Sequence, residues 1–156
     1  MAPIYTRIYA QPVEFNRALG YAYDALVKGP YRFDAMSAWK GLSERVAQGI
    51  YMGQGLLLPH TRVPGLQGPL MAFVVAREGI TGVKTRNDEM AQFMCVLLSP
   101  AESAMAHTVA IANVAKLLLD PEWKEKVLAA TDEEELKKMF RDGDALPIRG
   151  SCSHKC

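Results

Sequence analysis

The hydrophobic positions of this chain follow two kinds of pattern, one typical of amphipathic helices and the other of buried strands. Apolar residues recur every three or four positions over 15–26 and again over 35–46, which predicts two helices. Gly29 and Gly49 are positioned to end them, and Asp34 is positioned to cap the start of the second helix. We therefore expect two consecutive helices that each bury one face.

Four other segments have the composition of strands. Residues 70–76 and 92–98 are apolar at almost every position, as strands covered by helices on both faces should be. A polar connection, 77–89, lies between them. Residues 4–9 are rich in Ile, Tyr and Thr, which favours a first strand. Residues 56–58, three leucines within a glycine- and proline-rich loop, predict one more short strand.

The last third of the chain carries start signals for helices. In the segment 99–102, Ser-Pro-Ala-Glu, the serine, proline and glutamate would occupy the N-cap, N1 and N3 positions of a helix that reaches Leu119. A further helix is expected to restart at Glu122, and the capping box at 131–134 opens a final helix that Gly143 should end. Strands interleaved with helices predict the α/β class, with one small mixed sheet sandwiched between helices.

Length and charge narrow the classes of function. With 156 residues and 49% hydrophobic content, the chain has material for one core, so we expect a single domain over 1–148 and a disordered tail over 149–156. Its 18 basic and 17 acidic residues nearly cancel, which argues against nucleic acid as a partner. The apolar runs are far shorter than the ~20 residues that span a bilayer, and a signal-peptide pattern is missing. A cytoplasmic protein without membrane insertion is therefore expected.

The three cysteines do not suggest a disulfide framework. Cys95 lies inside an apolar strand and is expected to be a small buried hydrophobe. Cys152, His154 and Cys156 bring metal-binding groups into the tail. Structural zinc needs a second pair of ligands, which the chain does not supply at the usual spacing. We therefore expect no bound metal, and the role of the tail stays open.

His60 is the first residue whose position suggests chemistry. It follows the short leucine strand and Pro59, so it is expected to be the first side chain beyond the edge of the sheet, where a rigid scaffold meets an accessible loop. Nearby glycines would let backbone amides approach a group held by the histidine. The alternative is an ordinary surface histidine in a turn, and the residues alone leave both interpretations open.

His107 is the second candidate. It shares a helical face with Ile111, Val114 and Leu118, so its ring is expected to point inward from the second turn of the predicted helix. The positive end of the helix dipole favours an anion there. The alternative is a histidine at the edge of the core that is hydrogen-bonded to a backbone carbonyl.

Two arginines are candidate partners for an anion. Arg45 lies near the C-terminal end of the second predicted helix, and Arg62 follows His60 by two positions. A guanidinium can bind a phosphoryl group through two parallel hydrogen bonds. For either arginine the alternative is a solvated surface charge.

The segment 53–65 contains two glycines, a short aliphatic strand, a proline–histidine pair, an arginine and a proline–glycine pair. This order resembles the active-site segment of enzyme IIA domains of the fructose, mannitol and nitrogen-regulatory type in the bacterial phosphotransferase system. Residues 69–80 resemble the next strand of that family. His107, with the aliphatic helix after it and the segment 118–126, resembles the family's second-histidine helix. The similarity extends over about 12–140.

The resemblance implies a phosphocarrier function and a role for each candidate residue. In this family the first histidine carries the phosphoryl group, the second contacts it, and an arginine upstream of the glycine segment helps to neutralise it. These roles fall on His60, His107 and Arg45. Thr61 and Arg62, which follow the first histidine, are further candidates for contact with the phosphoryl group. The chemistry requires no cofactor and no metal.

Four features depart from the family pattern. The arginine of the family pattern falls on Arg45 only if one residue of that pattern is missing between Arg45 and Gly53. Thr61 stands where alanine or glycine is more common, and Thr108 stands where leucine is usual. The tail from Arg149 onward has no counterpart in the pattern. Neither threonine removes a reacting group.

The resemblance also implies partners. The donor would be the phosphohistidine of HPr or of its nitrogen-branch relative, and the acceptor would be the cysteine of an enzyme IIB domain. An alternative is a regulatory module that transfers nothing and docks on a transporter or kinase. A third possibility, a zinc hydrolase that uses His60, His107 and the tail, lacks a carboxylate-bearing metal motif. If the assignment is right, the two histidine rings face each other across a shallow cleft.

Overall fold

The computed structural model describes residues 4–142. It contains six strands, which are β1 Ile4–Tyr9, β2 Val13–Glu14, β3 Leu56–Leu57, β4 His60–Val63, β5 Leu70–Thr81 and β6 Ala91–Pro100. Its five helices are α1 Phe15–Val27, α2 Ala35–Gln48, α3 Ala104–Leu117, α4 Pro121–Ala129 and α5 Glu133–Asp142. The interleaved order confirms the α/β class. In this described part of the chain, no helix is both long enough and apolar enough to cross a membrane.

The strands form one mixed sheet with β5 and β6 at its centre. The order is β1-β5-β6-β3, with β2 beside the end of β5 and β4 beside the end of β6. Strands β5 and β6 run antiparallel, whereas β1 and β2 run parallel to β5, and β3 and β4 run parallel to β6. The carboxyl ends of β4 and β6 therefore meet at one edge of the sheet.

Helices cover both faces of the sheet, so its central strands are buried on both sides. The core on the side of α1 and α2 receives alternate residues of β5, namely Leu70, Ala72 and Val74. The core on the side of α3, α4 and α5 receives the residues between them, namely Met71, Phe73 and Val75. This two-sided burial explains why β5 and β6 are apolar at nearly every position, and it confirms the predicted sandwich. Cys95 in β6 is completely buried, as predicted, and burial raises the pKa of its thiol.

The predicted start of α3 is wrong by several residues. Ser99 is not its N-cap, because β6 continues to Pro100 and Ser99 pairs with Arg62 of β4 in the ladder. The N-cap is Ser103, whose hydroxyl accepts a hydrogen bond from the amide of Ala106 at 3.3 Å. Pairing with a distant strand has therefore overridden a local capping signal.

Other boundaries also differ from the sequence pattern. Residues 60–63, predicted as loop, form strand β4, and β5 continues to Thr81 through part of the predicted polar connection. Helix α3 ends at Leu117, and the carboxylate that caps α5 belongs to Asp132. Gly143 and the tail over 149–156 lie outside the described residues.

Helix α2 packs closely against β4 through a glycine. A Cβ atom built on Gly41 would lie 2.3 Å from the hydroxyl oxygen of Thr61, a distance that no non-bonded pair of these atoms can adopt. The missing side chain therefore allows the helix and the strand to approach. This approach brings the C-terminal half of α2, which includes Arg45, beside β4.

We expect Gly41→Ala to destabilise the fold. A methyl group at this position must push α2 away from β4, and overpacking of this kind costs about 1–3 kcal/mol. Urea denaturation followed by circular dichroism measures the free energy of unfolding. Thr61→Ala in the same chain should recover part of the loss, because it removes the hydroxyl that the methyl group meets.

Gly20→Ala is the matched control. Gly20 lies inside α1, and a Cβ there would meet nothing within 4 Å. Since alanine is the better helix former by roughly 1 kcal/mol, Gly20→Ala should stabilise the protein. Equal effects of the two substitutions would contradict a specific contact between Gly41 and Thr61.

Candidate functional site

A cleft of about 290 Å³ opens between β4, the C-terminal half of α2 and the start of α3. The residues that line it are Gly41, Glu44, Arg45, Gln48, His60, Thr61, Arg62 and His107. All five residues singled out in the sequence therefore lie together. The rings of His60 and His107 have their centroids 5.3 Å apart and are tilted by 41°.

His60 is held by the strand and not, as expected from the sequence, by a loop beyond the sheet. It opens β4, where it pairs with Leu97 of β6, and its side chain is half-buried. Its Nδ1 atom lies 2.7 Å from the backbone carbonyl oxygen of Leu58. A carbonyl oxygen can only accept, so Nδ1 carries the ring proton and donates it. The lone pair of the neutral ring is therefore on Nε2.

The Leu58 carbonyl that accepts from His60 belongs to a backbone segment that is itself hydrogen-bonded to its neighbours. The amide of Leu58 donates to the carbonyl of Ile50 at 2.8 Å, and the carbonyl of Pro59 accepts from the amide of Leu97 at 3.0 Å. Pro59 itself has a restricted φ angle. The orientation of the His60 ring is therefore set by backbone that is bonded on both sides.

His107 is the fourth residue of α3, so it lies closer to the positive end of the helix dipole than the sequence predicted. Its ring is partly buried, and its Nδ1 lies 2.8 Å from the hydroxyl oxygen of Ser99. The sequence pattern did not indicate Ser99 as part of the site. A signal was present, since a serine that ends an apolar strand becomes buried and then needs a hydrogen-bond partner.

The two candidate arginines play different structural parts. Arg45 lies in the last turn of α2 and lines the cleft, and among the described residues no carboxylate is within 4.0 Å of its guanidinium. Arg62 is exposed, and its guanidinium donates a hydrogen bond to the backbone carbonyl of Ala101. Arg62 therefore ties the end of β4 to the turn before α3, whereas Arg45 is available to an anion in the cleft.

Two further residues of α2 line the cleft although the sequence pattern did not indicate them. Glu44 and Gln48 share one helical face with Gly41 and Arg45 at spacings of three and four residues. Once α2 is placed against β4, this face is the one that borders the cleft. The carboxylate of Glu44 adds a negative charge to a wall that otherwise carries guanidinium and imidazole groups.

The electrostatics of the cleft favour neutral histidines. Burial is the largest cause that lowers the pKa of His60, and the charge of Arg45 lowers it further, while the bond to the Leu58 carbonyl acts in the opposite direction. Burial is also the largest cause that lowers the pKa of His107, followed by the charges of His60, Arg62 and Arg45. Both rings are therefore neutral near pH 7.

This arrangement combines a nucleophile with groups that stabilise an anion. A neutral imidazole with a free lone pair can attack an electrophilic phosphorus, and a guanidinium beside it can neutralise the phosphoryl oxygens. Within residues 4–142, no three side chains of His, Cys, Asp or Glu are grouped as metal ligands. The tail residues of the zinc alternative, Cys152, His154 and Cys156, lie outside that range.

Comparison with known proteins identifies a family for the chain. The model of the family described as "Phosphoenolpyruvate-dependent sugar phosphotransferase system, EIIA 2" matches residues 9–143. The chain is 23% identical over 132 residues to the PTS system fructose-specific EIIA component of Haloferax volcanii, which covers 84% of this chain and 85% of that protein.

Solved structures share the fold. The nitrogen regulatory protein IIA-Ntr from Neisseria meningitidis superposes with a TM-score of 0.74 at 18% identity, over 87% of this chain and 92% of the other. A chain of the complex of enzyme IIAMtl and phosphorylated enzyme IIBMtl from Escherichia coli superposes with a TM-score of 0.66 at 18% identity, over 89% of this chain and 94% of the other.

We expect both cleft histidines to titrate below the ordinary histidine pKa of 6.5. Burial and neighbouring positive charge favour the neutral ring. An NMR titration of the ring resonances, assigned with His60→Gln and His107→Gln, measures both midpoints, and a histidine peptide in the same buffer serves as the reference. A midpoint at or above 6.5 for either residue would contradict the electrostatic description.

The same shifts should make the fold less stable in acid. Between pH 6.5 and the lower pKa of the folded state, the unfolded chain binds protons more tightly than the folded chain does. The free energy of unfolding should therefore fall as the pH decreases through this window. Denaturation curves at several pH values measure it. The double variant His60→Gln/His107→Gln should show a smaller fall, because only other groups then titrate.

Proposed function

Because the chain belongs to the EIIA 2 family of the phosphoenolpyruvate-dependent sugar phosphotransferase system, we propose that it is a phosphocarrier that accepts a phosphoryl group on His60 and passes it to another protein. The observation that carries this proposal is the protonation of the His60 ring. Its Nδ1 is committed to the Leu58 carbonyl, so the lone pair on Nε2 is free in a cleft that also contains His107 and Arg45.

Transfer onto His60 needs no proton to move. The Nε2 lone pair attacks the phosphorus of a donor phosphohistidine, and the donor's P–N bond breaks with its electron pair returning to the donor ring. The phosphorylated ring of His60 keeps its proton on Nδ1 and continues to donate it to the carbonyl oxygen of Leu58. This hydrogen bond becomes stronger as the ring gains positive charge. In the second step a thiolate attacks the phosphorus, and Nε2 of His60 recovers its lone pair.

Charge that develops on the phosphoryl oxygens has to be met by donors that are already in place. Arg45 offers a planar guanidinium without an ion-pair partner among the described residues, and the second imidazole offers a ring N–H. Helix α3 adds the positive end of its dipole near His107. Thr61 contacts Gly41 of α2, so we assign it a packing role and no contact with the phosphoryl group. Arg62 contributes its positive charge from the exposed border of the cleft.

The proposal includes the kind of partner on each side. The donor is the phosphohistidine of HPr or of its nitrogen-branch relative, and the acceptor is the cysteine of an enzyme IIB domain. An enzyme IIA of the same fold forms a complex with phosphorylated enzyme IIB, which supports the acceptor. The family name and the fructose-specific relative support a role in a sugar phosphotransferase system.

The central test asks whether His60 takes up a phosphoryl group. The chain would be mixed with phosphoenolpyruvate, enzyme I and an HPr protein, and its intact mass would be measured at alkaline pH, because phosphohistidine is hydrolysed in acid. We expect one added phosphoryl group. His60→Ala should abolish the modification, and His107→Ala should slow it by ~10²–10³, the cost of removing one stabilising donor.

His154→Ala is the matched control for these variants, since it removes the third histidine of the sequence and should leave the modification unchanged. A wild-type chain that stays unmodified with several HPr proteins would overturn the phosphocarrier proposal. Modification that persists in His60→Ala would overturn the choice of residue. Onward transfer to a IIB cysteine would indicate a relay, and retention with altered binding to a transporter or kinase would indicate a regulatory module.

Arg45 can be tested by its geometry as well as by its charge. Arg45→Lys keeps the charge but loses the two-pronged guanidinium, so we expect slower transfer than in the wild type. Arg45→Ala should lose roughly 10² in rate. The control is Arg32→Lys at an exposed position outside the cleft, which should have no effect. Full activity of Arg45→Ala would show that another group neutralises the phosphoryl oxygens.

A further inference from the structure

The hydroxyl of Ser99 is a buried group of the site that the transfer steps above do not use. Ser99 is 1% exposed at the end of β6, and its hydroxyl oxygen lies 2.8 Å from Nδ1 of His107. Thr6 is the other polar residue buried among those described, and its hydroxyl donates to the backbone carbonyl of Glu133. The hydroxyl of Thr6 serves the packing of α5 on β1, whereas that of Ser99 is directed at a ring in the cleft.

The need of every buried donor for an acceptor determines whether the Ser99 hydroxyl or Nδ1 of His107 donates. Within residues 4–142, Nδ1 of His107 is the partner of the Ser99 hydroxyl, and no acceptor elsewhere receives its proton. If Nδ1 carried the ring proton and donated it to Ser99, the hydroxyl proton would be buried without an acceptor. A buried unsatisfied donor costs ~1–3 kcal/mol. The hydroxyl of Ser99 therefore donates, and Nδ1 of His107 accepts.

We propose that Ser99 is a positioning residue for phosphoryl transfer, because its hydroxyl bond to Nδ1 of His107 keeps the ring proton of His107 on Nε2. Nε2 is then the ring nitrogen that can contact a group bound in the cleft. With a proton there, His107 donates a hydrogen bond to a phosphoryl oxygen. With a lone pair there, it would repel that oxygen. The kinetic consequence rests on the proposed function, whereas the protonation of the ring does not.

The two histidines of the cleft would then carry their protons on different nitrogens. Beneath His60 the partner is a carbonyl of Leu58, which only accepts and so leaves a lone pair on Nε2. Beneath His107 the partner is a hydroxyl, which donates and so leaves a proton on Nε2. One ring becomes the nucleophile and the other becomes the donor, although both are neutral imidazoles. The difference lies in the chemical nature of two buried partners.

The protonation of His107 can be read directly in the free protein. In a chain labelled with ¹⁵N-histidine, two-bond proton–nitrogen correlation spectra at mildly alkaline pH distinguish protonated from unprotonated ring nitrogens. We expect Nε2 of His107 to carry the proton and Nδ1 to show the shift of a hydrogen-bonded acceptor. In Ser99→Ala the Nδ1 resonance should move toward the position of an unbonded nitrogen. A proton on Nδ1 in the wild type, or an unchanged spectrum in Ser99→Ala, would overturn the inference.

The rate of phosphoryl transfer tests the proposed effect of Ser99 on function. Ser99→Ala should slow phosphoryl uptake about tenfold, by analogy with the lower end of the loss that follows removal of a group orienting a metal-ligating histidine. Ser99→Thr, which keeps the hydroxyl, should restore most of the rate. In a His107→Ala background, Ser99→Ala should have no further effect, because the two residues act through one ring. Additive losses in the double variant would overturn the positioning role.

Cys95→Ala is the matched control for packing, since Cys95 is completely buried in the same strand and lies on the side of α3. It should leave both the His107 spectrum and the rate unchanged. The two proposals fail in distinguishable ways. A wild type that accepts no phosphoryl group contradicts the phosphocarrier function, whereas a wild type that accepts it with Nδ1 of His107 protonated contradicts only the inference about Ser99.

Discussion

Each histidine of the cleft has its Nδ1 atom hydrogen-bonded to a group in the sheet or directly beside it, and the chemistry of the site depends on this constraint. The carbonyl of Leu58 and the hydroxyl of Ser99 are the two groups. Leu58 lies between β3 and β4, and Ser99 lies in β6, with which both of these strands pair. His60 begins β4, and neighbouring strands are separated by about 4.8 Å, so the bond to Ser99 of β6 holds the His107 ring close to that of His60. The pairing of β4 with β6 therefore helps to set the spacing of the imidazoles.

The helices complete the site by bringing positive charge to the cleft beside β4. Helix α2 contributes the guanidinium of Arg45 near its C-terminal end, and it reaches the edge strand because Gly41 has no side chain to meet Thr61. Helix α3 begins at Ala104, a short turn after β6 ends at Pro100, and His107 is its fourth residue. The sheet that supports the site is rigid, because its central strands β5 and β6 are packed by helices on both faces.

The features that could be predicted from sequence are those with a local cause. Continuous apolar runs identified the central strands, and helical periodicity identified α1 and α2. Strand β4 was missed because its residues have no strand pattern of their own and depend on pairing with β6. The role of Ser99 was misassigned for a similar reason, because a local capping signal competed with a distant partner. Among the site residues, His60, His107 and Arg45 were candidates from their positions in the sequence, and the family resemblance supplied their expected roles. Glu44 and Gln48 required the packing of α2 to be known.

Under the proposed function, the donor and the acceptor must both reach Nε2 of His60 in the same cleft, and this determines the order of events. A protein domain that delivers the phosphoryl group covers the same opening that a domain removing it must use, so the two visit in succession. The reaction is then a double displacement in which the phosphorylated chain is a free intermediate. Each in-line displacement inverts the configuration at phosphorus, and two of them restore it. A chiral phosphoryl group would therefore leave His60 with the handedness that it had on the donor.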